Sequence, residues 1–319
     1  MSKKVYIVAQ ENGYLRANFK FEKEMKDVIL KFSNEEEKNP IIKYFRKLSL
    51  SKSLDEKINF PLKKILYRTF FDKILLNKDS EDTIIFFDSH FYAKREVFIK
   101  WLRKEYPKVK LILWNWNKLK DGNIGRFKKY YNAIYTFDRE DSKLYDLKYI
   151  SSFYSKVTAE SYRSKEEKEG VIFIGYDKGR APFLKGVKDR LDELKIPYYF
   201  HVVKDSTSKV ENGIELYDKG LSYEEVLKKT SEFKIVLDLV ITGQKGLTLR
   251  TVETIFLGKK LITNNPIVQE EELYKTGNIL VIENPSDITE EFLRKETLKV
   301  ENKILDNYST EGWLKKILM

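Results

Sequence analysis

The chain has 319 residues, 42% of them hydrophobic and 14% aromatic, enough for sizeable cores and against wholesale disorder. It has no cysteine, which excludes disulfides, thiol nucleophiles and thiolate metal sites and fits a cytoplasmic protein. A formal net charge of +11 suits a partner that carries phosphate: nucleic acid, an anionic membrane face or a phosphorylated small molecule.

The length suits two domains at ~150 residues each. Two histidines, His90 and His201, leave no set for a multi-histidine metal site. No stretch approaches the ~18 apolar residues of a membrane span. The apolar run at the start is too short for a signal peptide and reads as a strand over 4–9.

A polar loop follows at Asn12-Gly13, and 18–32 mixes aromatics and charges without a period. Segments 40–47 and 60–76 predict helices, the second with a stripe of Ile65, Leu66, Phe70, Ile74 and Leu75. Thr83-Ile-Ile-Phe-Phe87 is continuously apolar, the mark of a strand buried on both faces, and it ends at Asp88-Ser-His90. A helix over 97–106 and strands over 109–115 and 133–137 complete a rhythm that argues for parallel strands with crossover helices. Residues 138–154 read as the exit from this unit. The stretch 156–169 is polar and lacks a core pattern. It places the boundary, giving domains at 1–155 and 156–319, with the last helix a candidate to pack back on the first domain.

The second unit repeats the rhythm. A strand over 170–174 leads through Gly175-Tyr-Asp-Lys-Gly-Arg180 to a helix over 181–194 and a strand over 197–203. A helix over 222–229 starts with a capping box, Ser222 followed by Glu225. After a strand over 233–240, Thr248 reads as an N-cap, and Leu249, Val252, Ile255 and Phe256 recur at helical spacing up to Gly258. A strand over 260–263 ends at Asn264-Asn-Pro266, and 278–282 predicts the last strand of the sheet. Helices over 286–293 and 310–318 close the chain.

In open parallel sheets ligands sit beyond the carboxyl ends of the strands, and four such ends are chemically loaded. The turn from Gly175 to Arg180 offers two glycines for close backbone approach and Lys178 and Arg180 for phosphate; the alternative is a plain strand–helix turn with solvated charges. The helix start at Thr248 offers free N–H groups and a positive dipole end, with Arg250 beside it and Glu253 a turn on to accept from sugar hydroxyls; the alternative is a capped helix with a solvated pair. Asp88, with His90 two residues on, could deprotonate a hydroxyl, or Asp88 could cap a turn. Trp114-Asn-Trp-Asn117 could stack on sugars or bases, and packing at a domain edge is favoured.

Four segments carry a resemblance: Phe173-Ile-Gly-Tyr-Asp-Lys-Gly-Arg180, Ile235-Val-Leu-Asp238, Gln244-Lys-Gly-Leu-Thr-Leu-Arg-Thr-Val-Glu253 and Lys259-Lys-Leu-Ile-Thr-Asn-Asn265. On these the chain resembles bacterial GT-B-type glycosyltransferases of capsule, lipopolysaccharide and exopolysaccharide assembly. Residues 109–117 and Tyr135-Thr-Phe-Asp138 are similar to that group's first domain, so the likeness covers most of 80–285.

The resemblance implies an α/β protein of two Rossmann-like domains, with parallel sheets facing across a cleft. A nucleotide-sugar donor would lie in the second domain and a glycan or lipid-linked acceptor in the first. It implies a donor site of Gly175, Lys178, Arg180, Gln244, Gly246, Leu247, Thr248, Arg250 and Glu253, with Glu253 on the ribose and neither metal nor cofactor. Asp88, with His90 as the second choice, is expected as the base. Where retaining members commonly carry a second Glu, seven or eight residues before Glu253, this chain has Gly246 and Lys245, and inversion is slightly favoured. A cytoplasmic location with peripheral contact at the inner membrane face, and no nucleic acid, complete the expectation. Competing readings are a basic nucleic-acid-binding module, a noncatalytic scaffold, a polyol-phosphate transferase and a same-fold nucleotide-sugar epimerase.

Overall fold

The computed structural model describes residues 3–23, 25–32, 67, 79–89, 93–119, 122–164, 166–209, 213–241 and 246–319. Of the helices expected over 40–47 and 60–76, only Tyr67 falls among them. The chain divides into two compact units, one of 1–12 and 23–150 and one of 13–22 and 151–319.

The first unit is built on a six-stranded parallel sheet in the order β2-β1-β3-β4-β5-β6. Its strands are β1 (Val5–Ala9), β2 (Val28–Phe32), β3 (Thr83–Phe87), β4 (Lys110–Asn115), β5 (Ala133–Thr136) and β6 (Lys148–Tyr149). Every residue of β1 and β3 is buried, as a parallel strand covered on both faces requires. The helix of Glu96–Glu105 buries Phe98, Ile99, Trp101 and Leu102, one apolar stripe at helical spacing. Each such side chain stabilises the unit by about 1.5–3 kcal/mol on burial. A short helix over Arg139–Tyr145, capped by Asp138, leads to β6.

The second unit carries another parallel sheet, ordered β12-β11-β10-β7-β8-β9. Its strands are β7 (Lys168–Tyr176), β8 (Tyr198–Val203), β9 (Leu216–Tyr217), β10 (Phe233–Asp238), β11 (Lys260–Thr263) and β12 (Ile279–Val281). We number the helices used below α1 (Gly13–Asn18), α2 (Lys156–Tyr162), α3 (Ala181–Glu193), α4 (Tyr223–Ser231), α5 (Leu249–Phe256), α6 (Glu290–Arg294), α7 (Asn302–Tyr308) and α8 (Thr310–Leu318). The capping box of Ser222 and Glu225 opens α4 as expected. Gly258, at φ 74°, ends α5 in the left-handed conformation that a β-carbon disfavours.

Several segments differ from the sequence reading. Residues 13–18 form a helix rather than a loop, buried at Leu15 and Asn18. Six residues are too few for propensity to declare a helix, so its partners make it. Ser155 N donates to Asn18 Oδ1 at 3.0 Å, Thr310 Oγ1 to Asn18 O at 2.6 Å, and Ser155 Oγ to Lys20 O at 2.6 Å. Phe19 packs on Phe153 and Trp313, which stack on each other at 4.4 Å. The stretch 18–32, whose sequence shows no period, contains β2.

The polar stretch at 156–169 is α2 followed by the start of β7. Its buried helical residues are Thr158 and Ala159, small side chains that leave no apolar stripe to read. The helix expected over 286–293 is a 3-10 turn at Pro285–Asp287 and then α6, and α7 lies where the sequence reading has no element.

Candidate functional site

In the second sheet the connections run outward from β7 through β8 to β9, and from β10 through β11 to β12 the other way. The reversal lies between β7 and β10, and the crevice beyond their carboxyl ends is where such a sheet takes ligands. From β10 the chain passes Asp238 and reaches the start of α5. Thr248 caps that helix: its Oγ1 accepts from Thr251 N at 3.1 Å and donates to the Asp238 carboxylate. Asn264 and Asn265, just past β11, hold the two ends of this connection. Asn264 Oδ1 accepts from Val240 N at 2.7 Å, and Asn265 Nδ2 donates to Gly246 O at 3.0 Å. Leu247 is fully buried, and its carbonyl accepts from Ser152 Oγ at 2.8 Å.

Burial raises the Asp238 pKa, against the opposing pull of Thr248, Arg250 and Arg180. Replacing Thr248 with alanine removes the cap and the donor to this carboxylate together. It is expected to cost about 1–2 kcal/mol in urea unfolding, and an unchanged midpoint would refute the capping role.

One turn into α5, Glu253 is 2% exposed and both its oxygens are engaged. Oε1 accepts from Arg250 Nη1 at 2.5 Å, and Oε2 from the Tyr223 hydroxyl on α4 at 2.5 Å. The Tyr223 and Tyr154 hydroxyls lie 3.2 Å apart. A carboxylate only accepts, so Tyr223 spends its single proton on Glu253 and Tyr154 must donate to Tyr223. Burial drives the pKa values of both tyrosines upward, with the Glu253 charge adding to the shift. Burial opposes the charge of Arg250, yet Glu253 and Asp238 outweigh it and raise its pKa. The Arg250 side chain keeps 23% of its exposure, and Nη1 is its hydrogen-bonded nitrogen among the described residues.

Across the reversal, the turn after β7 is also ordered by its own side chains. Asp177 is buried and accepts from Ala181 N at 2.9 Å, which opens α3. Lys178 and Gly179 take left-handed φ values of 48° and 77°, and Lys178 N donates to Asp205 Oδ2 at 2.9 Å. The Lys178 side chain is exposed. Arg180 instead folds back: Nε donates to Asp177 O at 3.0 Å, Nη1 to Leu239 O at 2.5 Å and Nη2 to Tyr176 O. It thereby ties the β7 turn to the β10 connection. Gly175 lies inside β7, paired with Val202, where a β-carbon would touch Arg180 and Phe173 at 3.4 Å.

In the first sheet the direction reverses between β1 and β3, and Asp88 directly follows β3. Its side chain is 6% exposed, lies 3.6 Å from Lys94 Nζ and accepts from Trp116 N at 3.4 Å. Burial raises its pKa, and Lys94 and the hydrogen bonds from Trp116 and Asn117 offset part of that shift. Trp114 is buried in β4 and Trp116 packs edge-on to Phe87, which is the packing alternative for this pair. His90 and Gln244 lie outside the described residues.

The second sheet therefore brings together Lys178, Arg180, Gly246, Leu247, Thr248, Arg250 and Glu253 with three partners that the sequence reading did not assign: Tyr154, Tyr223 and Asn265. Tyr223 stands next to a capping serine, where nothing in the local pattern marks it as more than a helical aromatic. Among the described residues no group of three or more carboxylates and imidazoles is placed to hold a metal ion. No described helix is long and apolar enough to cross a membrane.

No family model matches the chain, and no curated protein matches it in sequence. Solved structures do. The crystal structure of TarM aligns at a TM-score of 0.51 and 14% identity over 83% of this chain, which spans 59% of the TarM chain. A Listeria monocytogenes protein provisionally assigned as a UDP-N-acetylglucosamine 2-epimerase aligns at 0.47 and 10% identity, over 99% of this chain and 95% of its own. Sucrose-phosphate synthase from Thermosynechococcus elongatus aligns at 0.46 and 8% identity, over 90% and 88%. With two six-stranded parallel sheets and flanking helices, the chain has the GT-B fold of two Rossmann-like domains. At these identities the likeness defines a fold.

Proposed function

We propose that the protein transfers a glycosyl group from a nucleoside-diphosphate sugar to a hydroxyl of a surface-glycan precursor, free or lipid-linked. The observation that carries this reading is the reversal between β7 and β10. There a capped helix start, Arg250 and Glu253 meet the Lys178 turn at the carboxyl edge of a parallel sheet. Backbone N–H groups and a positive dipole end suit a diphosphate, and Arg250 and Lys178 add positive charge. Arg180 supports the site by fastening its two loops.

In the reaction, the bond from the anomeric carbon to the diphosphate oxygen breaks as the acceptor oxygen bonds to that carbon. The leaving diphosphate takes the electron pair, and the helix start and Arg250 stabilise the charge as it develops. The acceptor proton passes to Asp88, whose raised pKa makes it the better base. Inversion is the outcome this single displacement gives. The reading calls on no metal, because fixed cations and N–H groups take the phosphate charge. It places the protein in the cytoplasm, in peripheral contact with the inner membrane face through its basic surface.

A thermal-shift screen against UDP, GDP, CMP and dTDP tests the reading. At one hundred times Kd a bound nucleotide adds about 2.7 kcal/mol to stability, a rise of a few degrees. No shift with any of them, together with DNA binding that falls steeply with salt, would replace the reading by nucleic-acid binding.

A further inference from the structure

The far end of α5 lines an open cavity of about 330 Å³, a volume within the range of small-molecule sites. Thr248, Arg250 and Glu253 mark the start of this helix; the cavity takes Ile255, Leu257 and Gly258 at its end, roughly 12 Å away. Its floor is apolar. Ile255 and Leu257 are buried, Val300 and Leu305 are half-buried, and Leu298 is 45% exposed. Arg163 and Lys299 also line it. Arg163 donates from Nη2 to Phe256 O at 3.0 Å, which leaves most of its five N–H groups for a ligand. Neither cation has a carboxylate partner among the described residues. Glu167, the carboxylate in the lining, is held at 2.5 Å by the buried Lys259. A second cavity, of about 300 Å³, shares Arg163, Asn302 and Leu305 with the first and sets Glu22, Glu160 and Asp306 against Lys156. Lys156 is already paired with Glu22 and Asp306.

We propose that the cavity at the end of α5 binds a free amphiphilic anion, one carboxylate or phosphate on an apolar chain, with its head group on Arg163 and Lys299. The apolar part lies on Leu257, Leu298, Val300 and Leu305. Two uncompensated cations beside an apolar floor complement that chemistry, and they complement neither a neutral sugar nor a cation. The carboxylates of the second cavity repel an anion and keep the head group between Arg163 and Lys299. A concave site of this volume takes a single molecule rather than the face of a bilayer. The proposal is independent of the donor-site reading, because the two sites share a helix but no side chain.

Calorimetric titration of the full chain with octanoate, hexanoate, octyl phosphate and 1-octanol tests the proposal. Octanoate and octyl phosphate should bind one to one, and 1-octanol roughly tenfold more weakly for want of the charge. Hexanoate, two methylenes shorter than octanoate, should also bind roughly tenfold more weakly. Lys299 and Leu298 are exposed, so their replacement spares the fold, which a melting temperature within a few degrees of the parent verifies. Lys299→Glu should weaken octanoate by roughly tenfold and leave 1-octanol unchanged. Leu298→Ser should weaken both ligands by a similar factor. Failure of both anions to bind, equal octanoate affinity in the parent and Lys299→Glu, or 1-octanol binding as tightly as octanoate would overturn the proposal. Competitive displacement of octanoate by UDP would overturn it by moving the anion to the start of α5. Binding to phosphatidylglycerol vesicles without binding of soluble octanoate would replace it with a membrane-facing surface. None of these outcomes depends on the protein being a transferase.

Discussion

Glu253→Ala is expected to lower turnover by roughly 10²- to 10⁴-fold if Glu253 accepts from the donor ribose as proposed, because two hydrogen bonds to a charged group are then lost at once. The same substitution strips Arg250 of its 2.5 Å partner and Tyr223 of its acceptor. Stability should fall as well, on the order of 3 kcal/mol, the lower end for a broken buried pair since Arg250 keeps part of its exposure. The two effects must be separated. Glu253→Gln retains the shape and one acceptor oxygen, and it should unfold closer to the parent while still losing turnover. Measured side by side, parent-like rates in both variants would remove Glu253 from the donor site. A drop in rate that merely tracks the loss of folded protein would assign it to structure.

Asp88→Asn should lower the rate by roughly 10²- to 10⁴-fold if the carboxylate takes the acceptor proton. Its effect on stability has the opposite sign. Burial raises the Asp88 pKa above its unfolded value, so the folded state holds this proton more tightly. The stability the group contributes is present below the ordinary carboxylate pKa and is lost as pH rises through the raised one. Asparagine cannot ionise and escapes that loss. The variant should therefore melt at or above the parent temperature at pH 7.5, an advantage that disappears near pH 3. Lys94, left unpaired but partly exposed, offsets little of it. A slow variant of undiminished stability marks a functional carboxylate. A fast one, or one that unfolds more easily at pH 7.5, returns Asp88 to a packing role.

Much of the fold was legible in the chain. The unbroken apolar run at 83–87 is β3 to the residue, because a strand covered on both faces leaves no polar alternation to blur its ends. The cap at Thr248 and the stop at Gly258 bound α5 closely, since helix ends depend on the few residues beside them. Illegible were elements whose stability comes from distant partners. The helix α1 exists through Ser155, Thr310 and Trp313, which lie more than a hundred residues away. Strands β6 and β9 are two residues each and take their conformation from a neighbouring strand.

The candidate site divides along the same line. Thr248, Arg250 and Glu253 follow from sequence, because cap, dipole end and one-turn spacing are local properties of a single helix. What surrounds them was decided by tertiary structure. The chain alone has Glu253 open to a sugar; the fold closes it against Tyr223 and Tyr154, from α4 and from the segment before α2. It folds Arg180 back onto the carbonyls of Tyr176, Asp177 and Leu239, contacts that the turn sequence does not show. Spacing along a helix fixes which face a side chain takes. Which hydroxyl or carbonyl waits on that face depends on strands and helices brought there by the order of the sheet, and no local pattern encodes that order.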